Sequence, residues 1–111
     1  MHGPKEGGPD PRVLAEAIRR VVEVAHPARI ILFGSAARGE MHEGSDLDLL
    51  VVVSGPVHRG DLAGRIYENM VGVGGPVDVV VVTSEDLEIH RDNPGRILGS
   101  ALEEGEVVYG G

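Results

Sequence analysis

The chain contains no cysteine, so it can form neither a disulfide framework nor a thiolate metal site. Basic residues are scarce as well, since 10 Lys and Arg stand against 18 Asp and Glu, which gives a formal charge of −8. A protein that binds a nucleic-acid backbone normally carries a basic cluster, and this chain has none. The charge therefore argues against nucleic acid as a partner.

Long apolar runs are also missing, and residues 1–6 lack the pattern of a signal peptide, so we expect a cytoplasmic protein that does not enter a membrane. A length of 111 residues allows one hydrophobic core but no second, substrate-binding domain. The Gly- and Pro-rich residues 1–9 are expected to form a flexible tail. Residues 10–111 are expected to form one domain.

Helical and strand patterns alternate along this domain, which predicts a sheet covered by helices on at least one face. Asp10 and Pro11 have the pattern of a helix N-cap and first residue, and Thr83 with Asp86 that of a second cap. The predicted helices lie at residues 11–25, 35–38, 61–71 and 84–89 and from Asn93-Pro94 to Gly105, and the predicted strands at residues 29–33, 47–53, 77–82 and 107–109.

The most informative motif is Gly34-Ser35 followed, after ten intervening residues, by Asp46-Leu47-Asp48. A strand that ends in glycine and a hydroxyl residue is typical of a turn that cradles phosphate, because backbone N–H groups can approach the anion closely. Asp46 and Asp48 are two residues apart on a strand, so their carboxylates share a face. Mg²⁺ characteristically joins such carboxylates to substrate phosphates.

Asp78 interrupts a later apolar run, Val77 to Val82, where an unpaired buried carboxylate would be costly. Taken singly, each of these motifs also fits a plain turn or a solvated strand end. Their occurrence together favours a site. The whole arrangement resembles the signature of the DNA polymerase β-like nucleotidyltransferase superfamily. The residues around the motif are similar to those of its small prokaryotic branch, the minimal nucleotidyltransferases.

This resemblance implies an α/β (α+β) fold, in which a small mixed sheet is flanked by helices and the two acid-bearing strands are adjacent. It also implies two Mg²⁺ ions, with ATP as the substrate. Asp46 and Asp48 would bind both ions, and Asp78 would complete the acceptor-side site and take the hydroxyl proton. Gly34 and Ser35 would hold the triphosphate.

Three other side chains have weaker assignments. Arg38, on the predicted short helix after the turn, either pairs with a phosphate or is simply solvated, and the first reading is preferred. His42 precedes Asp46 in a loop and is interpreted mainly as a plain loop residue. Tyr67 is interpreted as a core or interface residue without a chemical role.

The function implied by the resemblance is transfer of a nucleoside monophosphate, AMP from ATP, to a hydroxyl. Minimal nucleotidyltransferases typically act as antitoxins with a small helical HEPN-family toxin, which in some systems is adenylylated on tyrosine. Two alternatives stay open. The chain is either a non-catalytic nucleotide-binding subunit that neutralises its partner by occlusion, or an enzyme that modifies a small aminoglycoside-like molecule as a homo-oligomer.

Overall fold

The computed structural model of the protein describes residues 11–34, 47–87 and 105–110. Residues 84–87 form part of a short additional helix. No helix in the described part of the chain is long and apolar enough to cross a membrane. The main elements of these segments are, in order, α1 (Pro11–Ala25), β1 (Arg29–Phe33), β2 (Leu47–Val53), α2 (Arg59–Glu68), β3 (Val77–Thr83) and β4 (Glu106–Gly110).

The four strands form one mixed sheet in the order β3-β2-β1-β4. β1 runs antiparallel to both of its neighbours, whereas β2 and β3 are parallel. The parallel pair needs a crossover, and α2 lies in that connection. The prediction of a mixed α/β sheet with the two acid-bearing strands adjacent is therefore confirmed.

The two faces of the sheet differ in what covers them. Alternate strand residues, such as Leu49 and Val51, point to the face on which α1 and α2 pack, and these helices contribute Val21 and Ile66 to the core. Residues of the opposite parity, such as Leu50, form a second apolar cluster with the following members: Ile31, Phe33, Leu50, Val52 and Val82. Asp48 and Asp78 share this second parity. Asp48 and Asp78 therefore lie on the face opposite α1 and α2.

Side chains from α1 join it to the end of α2. Arg20 donates to the carbonyl oxygens of Asn69 (3.2 Å) and Val71 (2.6 Å), which helps to satisfy carbonyl groups at the helix end. In return, the Asn69 amide donates to the Arg20 carbonyl at 3.0 Å and to Glu23 at 3.1 Å. α1 itself ends as predicted, and His26, just before Pro27, has a positive φ of 46°.

Two of the predicted boundaries need correction, and one cap is confirmed. α2 begins at Arg59 rather than at residue 61, because the His58 ring accepts a hydrogen bond from the Asp61 amide at 3.2 Å and caps the helix. It ends at Glu68 rather than at residue 71, and the Asn69 amide still bonds back to the Arg65 carbonyl. The predicted cap at Thr83 is present, since its amide donates to Asp86 and its hydroxyl accepts from the Asp86 amide.

β3 extends one residue beyond the end of the predicted strand. β4 extends one residue beyond the predicted strand at each end. The predictions for the tail at residues 1–9, for the short helix at residues 35–38 and for the helix that begins at Asn93-Pro94 lie outside the described residues. The same holds for residues 88–89 of the predicted helix after Thr83.

Candidate active site

The turn after β1 is built against the first acid of the site. Gly34 has a φ of +75°, a conformation that glycine adopts without steric cost. A Cβ atom placed on Gly34 would overlap the Asp48 carboxylate oxygen Oδ2 and would lie 3.3 Å from its Cγ. The backbone at this turn and the Asp48 carboxylate are therefore in close contact, and glycine is required by both the φ angle and the space.

The second acid lies directly beside the first. Asp48 and Asp78 are register partners in the parallel β2–β3 pair, so both side chains project from the same face of the sheet. Neighbouring strands lie about 4.8 Å apart, which brings the two carboxylates within reach of one ion. Asp48 is half-buried and Asp78 is exposed on the edge strand.

Asp78 has a partner that the sequence did not indicate. The Tyr67 hydroxyl on α2 donates to Asp78 Oδ1 at 2.6 Å and accepts a hydrogen bond from the Val79 amide at 2.8 Å. Sequence reasoning placed Tyr67 in the core or an interface, because it stood among apolar residues at helical spacing. Its side chain is instead 40% exposed. No spacing rule in the sequence links residues 67 and 78.

Oxygen donors dominate the part of the site that the structure describes. Ser35, Arg38 and Asp46, three of the candidate residues, lie outside the described residues, as does His42. Within the described segments no group of three His, Asp or Glu side chains could hold a metal ion. Asp48 and Asp78 supply two carboxylates, which suits a hard cation such as Mg²⁺ that is completed by substrate phosphates and water.

A further acid, which follows β3 in the chain, has a different role. Asp86 accepts hydrogen bonds from the Thr83 amide (2.9 Å) and from Arg59 Nη1 (2.7 Å). The hydrogen bond from the Thr83 amide lowers the pKa of Asp86 below its ordinary value, and the Thr83 hydroxyl and the Arg59 charge lower it further. Partial burial of Asp86 opposes this shift. Thr83 is five residues from Asp78 along β3, about 16 Å away. Asp86 therefore caps a helix and lies apart from the candidate site.

Comparisons with known proteins agree with this fold. The sequence model described as "Nucleotidyltransferase domain" matches residues 12–108. No curated protein matches the chain significantly. Among solved structures, a Sulfolobus solfataricus protein assigned to the nucleotidyltransferases is similar with a TM-score of 0.54 and 21% identity, over 93% of this chain and 91% of the other.

A chain from a crystal structure of a toxin-antitoxin with AMP-PNP is similar with a TM-score of 0.56 and 20% identity, over 86% of this chain and 72% of the other. At these identities the likeness to solved structures shows the fold. The match to the family model covers most of the sequence and is independent of that likeness. The chain therefore belongs to the nucleotidyltransferase domain family.

Proposed function

We propose that this chain is a Mg²⁺-dependent nucleotidyltransferase that moves a nucleoside monophosphate, AMP from ATP, to a hydroxyl group and releases pyrophosphate. The observation that supports this most strongly is the pairing of Asp48 and Asp78 side by side on parallel strands, with the Gly34 turn against the Asp48 carboxylate. Phosphoryl-type transfer depends mainly on such positioning and on electrostatic stabilisation of charge.

The residues present fit a metal site. Asp48 and Asp78 would hold the metal together with Asp46, which directly precedes β2 and is proposed as the third ligand. Mg²⁺ bound there would supply charge stabilisation at the phosphates and would lower the pKa of an acceptor hydroxyl. A carboxylate pair without a cation would carry mutual repulsion, and this repulsion gives a physical reason for binding one.

The chain's own groups divide the remaining work. The turn at Gly34-Ser35 would hold the triphosphate through backbone N–H groups and the Ser35 hydroxyl, with Arg38 pairing to a phosphate oxygen. Asp78 would face the acceptor and take its proton, because it is the exposed acid on the edge strand. Asp48, half-buried beside Gly34, would lie on the triphosphate side.

The acceptor is proposed to be a hydroxyl on a partner protein, a small helical HEPN-family toxin, for which this chain acts as antitoxin. Two observations support it. One of the similar solved structures is a toxin-antitoxin with AMP-PNP. In addition, the charge of −8 would attract a basic partner surface.

The test is to incubate the protein with α-labelled ATP, Mg²⁺ and the product of the neighbouring gene, and then to measure label and intact mass. We expect label on the partner, with a mass gain of about 329 Da for each AMP. Asp48→Asn and Asp78→Asn should abolish transfer. The matched control is Asp61→Asn, which makes the same change at an exposed carboxylate on α2.

Each outcome of this experiment separates the candidate functions. Label on an added aminoglycoside-like molecule, without label on the partner, would support small-molecule modification instead. A stable complex with the partner that carries no label would support neutralisation by occlusion. Transfer that persists in both Asp48→Asn and Asp78→Asn would refute the proposed site.

A further inference from the structure

The Tyr67 hydroxyl connects α2 to the candidate site by two short hydrogen bonds. It donates to Asp78 Oδ1 at 2.6 Å and accepts from the Val79 amide at 2.8 Å. The Val79 carbonyl is a second possible acceptor at 3.4 Å, but a phenol has one proton, and the shorter contact to a carboxylate is the stronger one. The hydroxyl is therefore held between a backbone amide and a candidate active-site acid.

This contact is not a by-product of core packing. α2 packs on one face of the sheet through Leu62 and Ile66, whereas Asp78 projects from the opposite face. Because β3 is one of the two edge strands of the described sheet, the long side chain of Tyr67 can pass around that edge and reach Asp78. The residue is 40% exposed, so the burial of its ring alone does not explain the position of its hydroxyl.

We propose that Tyr67 is a positioning residue that fixes the Asp78 carboxylate for nucleotidyl transfer. The proposal rests on the proposed function, in which Asp78 faces the acceptor. The phenol engages one carboxylate oxygen, and a carboxylate has further lone pairs with which to bind a metal or accept a proton. The Val79 amide fixes the phenol in turn, so the orientation of Asp78 is tied to the backbone of its own strand.

Groups that hydrogen-bond to a ligating carboxylate orient it, and their removal typically costs about 10–100-fold in metal affinity or activity. Tyr67→Phe keeps the ring and removes only the hydroxyl. We therefore expect kcat to fall about 10–100-fold. KM for ATP should stay unchanged, because the proposed triphosphate contacts lie at Gly34-Ser35. A purely structural role would instead lower the melting temperature and leave the kcat of the folded protein intact.

The chain offers a matched control, since its only other tyrosine is Tyr109. Tyr109 is 36% exposed and lies on β4, at the opposite edge of the sheet. Tyr109→Phe should leave kcat, KM and Mn²⁺ affinity at their wild-type values. All kinetics are measured well below the lowest melting temperature of the set, so that each variant is folded when it is assayed.

Mn²⁺ binding to the protein without nucleotide provides a readout that does not depend on turnover. Tyr67→Phe should weaken the Mn²⁺ affinity in the wild-type background but should change it little in Asp78→Asn, because the hydroxyl acts through that carboxylate. Equal losses in both backgrounds would overturn the proposal. So would a wild-type kcat in Tyr67→Phe, or an AMP adduct mapped to Tyr67 itself, which would make it an acceptor.

Failure of the proposed function can be told apart from failure of this inference. If the wild-type protein transfers no nucleotide to any acceptor, the proposed function fails, whereas the Mn²⁺ comparison still reports whether Tyr67 orients Asp78. If transfer occurs and the Mn²⁺ affinities of wild type and Tyr67→Phe are equal, the positioning role is refuted and the proposed function stands.

Discussion

Replacement of Gly34 by alanine tests the contact at the centre of the candidate site. Two separate penalties are expected at this position. The first is conformational, because an L-residue with a side chain at a φ of +75° costs about 1–2 kcal/mol. The second is steric, because the new Cβ would overlap Oδ2 of Asp48. The overlapping atom is the far end of a short side chain, so the carboxylate can rotate away.

The rotation decides what Gly34→Ala does to function. We expect a modest loss of stability, about 1–2 kcal/mol, since the carboxylate can move without disturbing the core. The metal affinity should fall further, because an Asp48 carboxylate that has turned away from Asp78 no longer binds the same ion. Activity and metal affinity should therefore fall by more than the loss of stability accounts for.

Gly72 supplies the control. Its φ is +82°, close to that of Gly34, and no heavy atom of the described residues beyond its chain neighbours lies within 4 Å of the position that a Cβ would take. Gly72→Ala should therefore pay the conformational cost alone. Chemical unfolding compares the two variants in stability, while Mn²⁺ titration and transfer of label from α-labelled ATP compare them in function.

The expected pattern is a similar stability loss in both variants, with weakened Mn²⁺ binding and transfer in Gly34→Ala only. A further comparison in the Asp48→Ala background isolates the overlap. There Gly34→Ala should cause no further loss of Mn²⁺ affinity, and only its conformational cost to stability should remain. If Gly34→Ala and Gly72→Ala bind Mn²⁺ and transfer nucleotide equally well, the contact between the turn and Asp48 has no functional role.

Two further predictions concern stability. Mg²⁺-ATP at about one hundred times its Kd should stabilise the fold by about 2.7 kcal/mol, seen as a raised melting temperature that is lost in Asp48→Asn; an equal rise in that variant would contradict a role for Asp48 in binding. Asp86→Asn should destabilise the protein by about 0.3–1 kcal/mol at neutral pH, because it removes a negative charge that accepts from the Thr83 amide in the first turn of a helix. Since folding lowers the pKa of Asp86, the stability difference between wild type and Asp86→Asn is full above the ordinary pKa of 3.8 and shrinks as the pH falls through the lower folded pKa. Urea denaturation at several pH values measures this difference. A difference that does not change with pH would refute the capping role of the Asp86 carboxylate.

The strands of this protein could be predicted closely because its turn residues mark where they end. The apolar residues of β1 end at Gly34, and those of β2 end at Ser54-Gly55-Pro56. Because these turn residues interrupt strands, they fix where each predicted strand ends. α2 was predicted less well. Its first turn is capped by the ring of His58, and histidine is not among the residues from which an N-cap is normally inferred.

The candidate site was only partly accessible to sequence reasoning. The order and spacing of Ser35, Asp46 and Asp48 predicted a phosphate and metal site. The family resemblance implied that the strands of Asp48 and Asp78 are adjacent. Spacing alone does not determine a register. These residues are 30 positions apart, and their direct pairing depends on how the connection through α2 brings β3 back beside β2.

The role of Tyr67 lay beyond any pattern, and the topology of the sheet explains why. β2 is an interior strand, so Asp48 is flanked by its neighbours β1 and β3, and the turn that closes β1 lies against its carboxylate. β3 is an edge strand of the described sheet, and Asp78 is exposed there. A side chain from α2 can orient it only by passing around that edge, which requires a long residue with a polar tip, one position away from the buried Ile66. In a sequence, such a residue looks like any amphipathic neighbour of the core. Its role becomes visible only when the strand order shows that Asp78 lies at an edge of the described sheet.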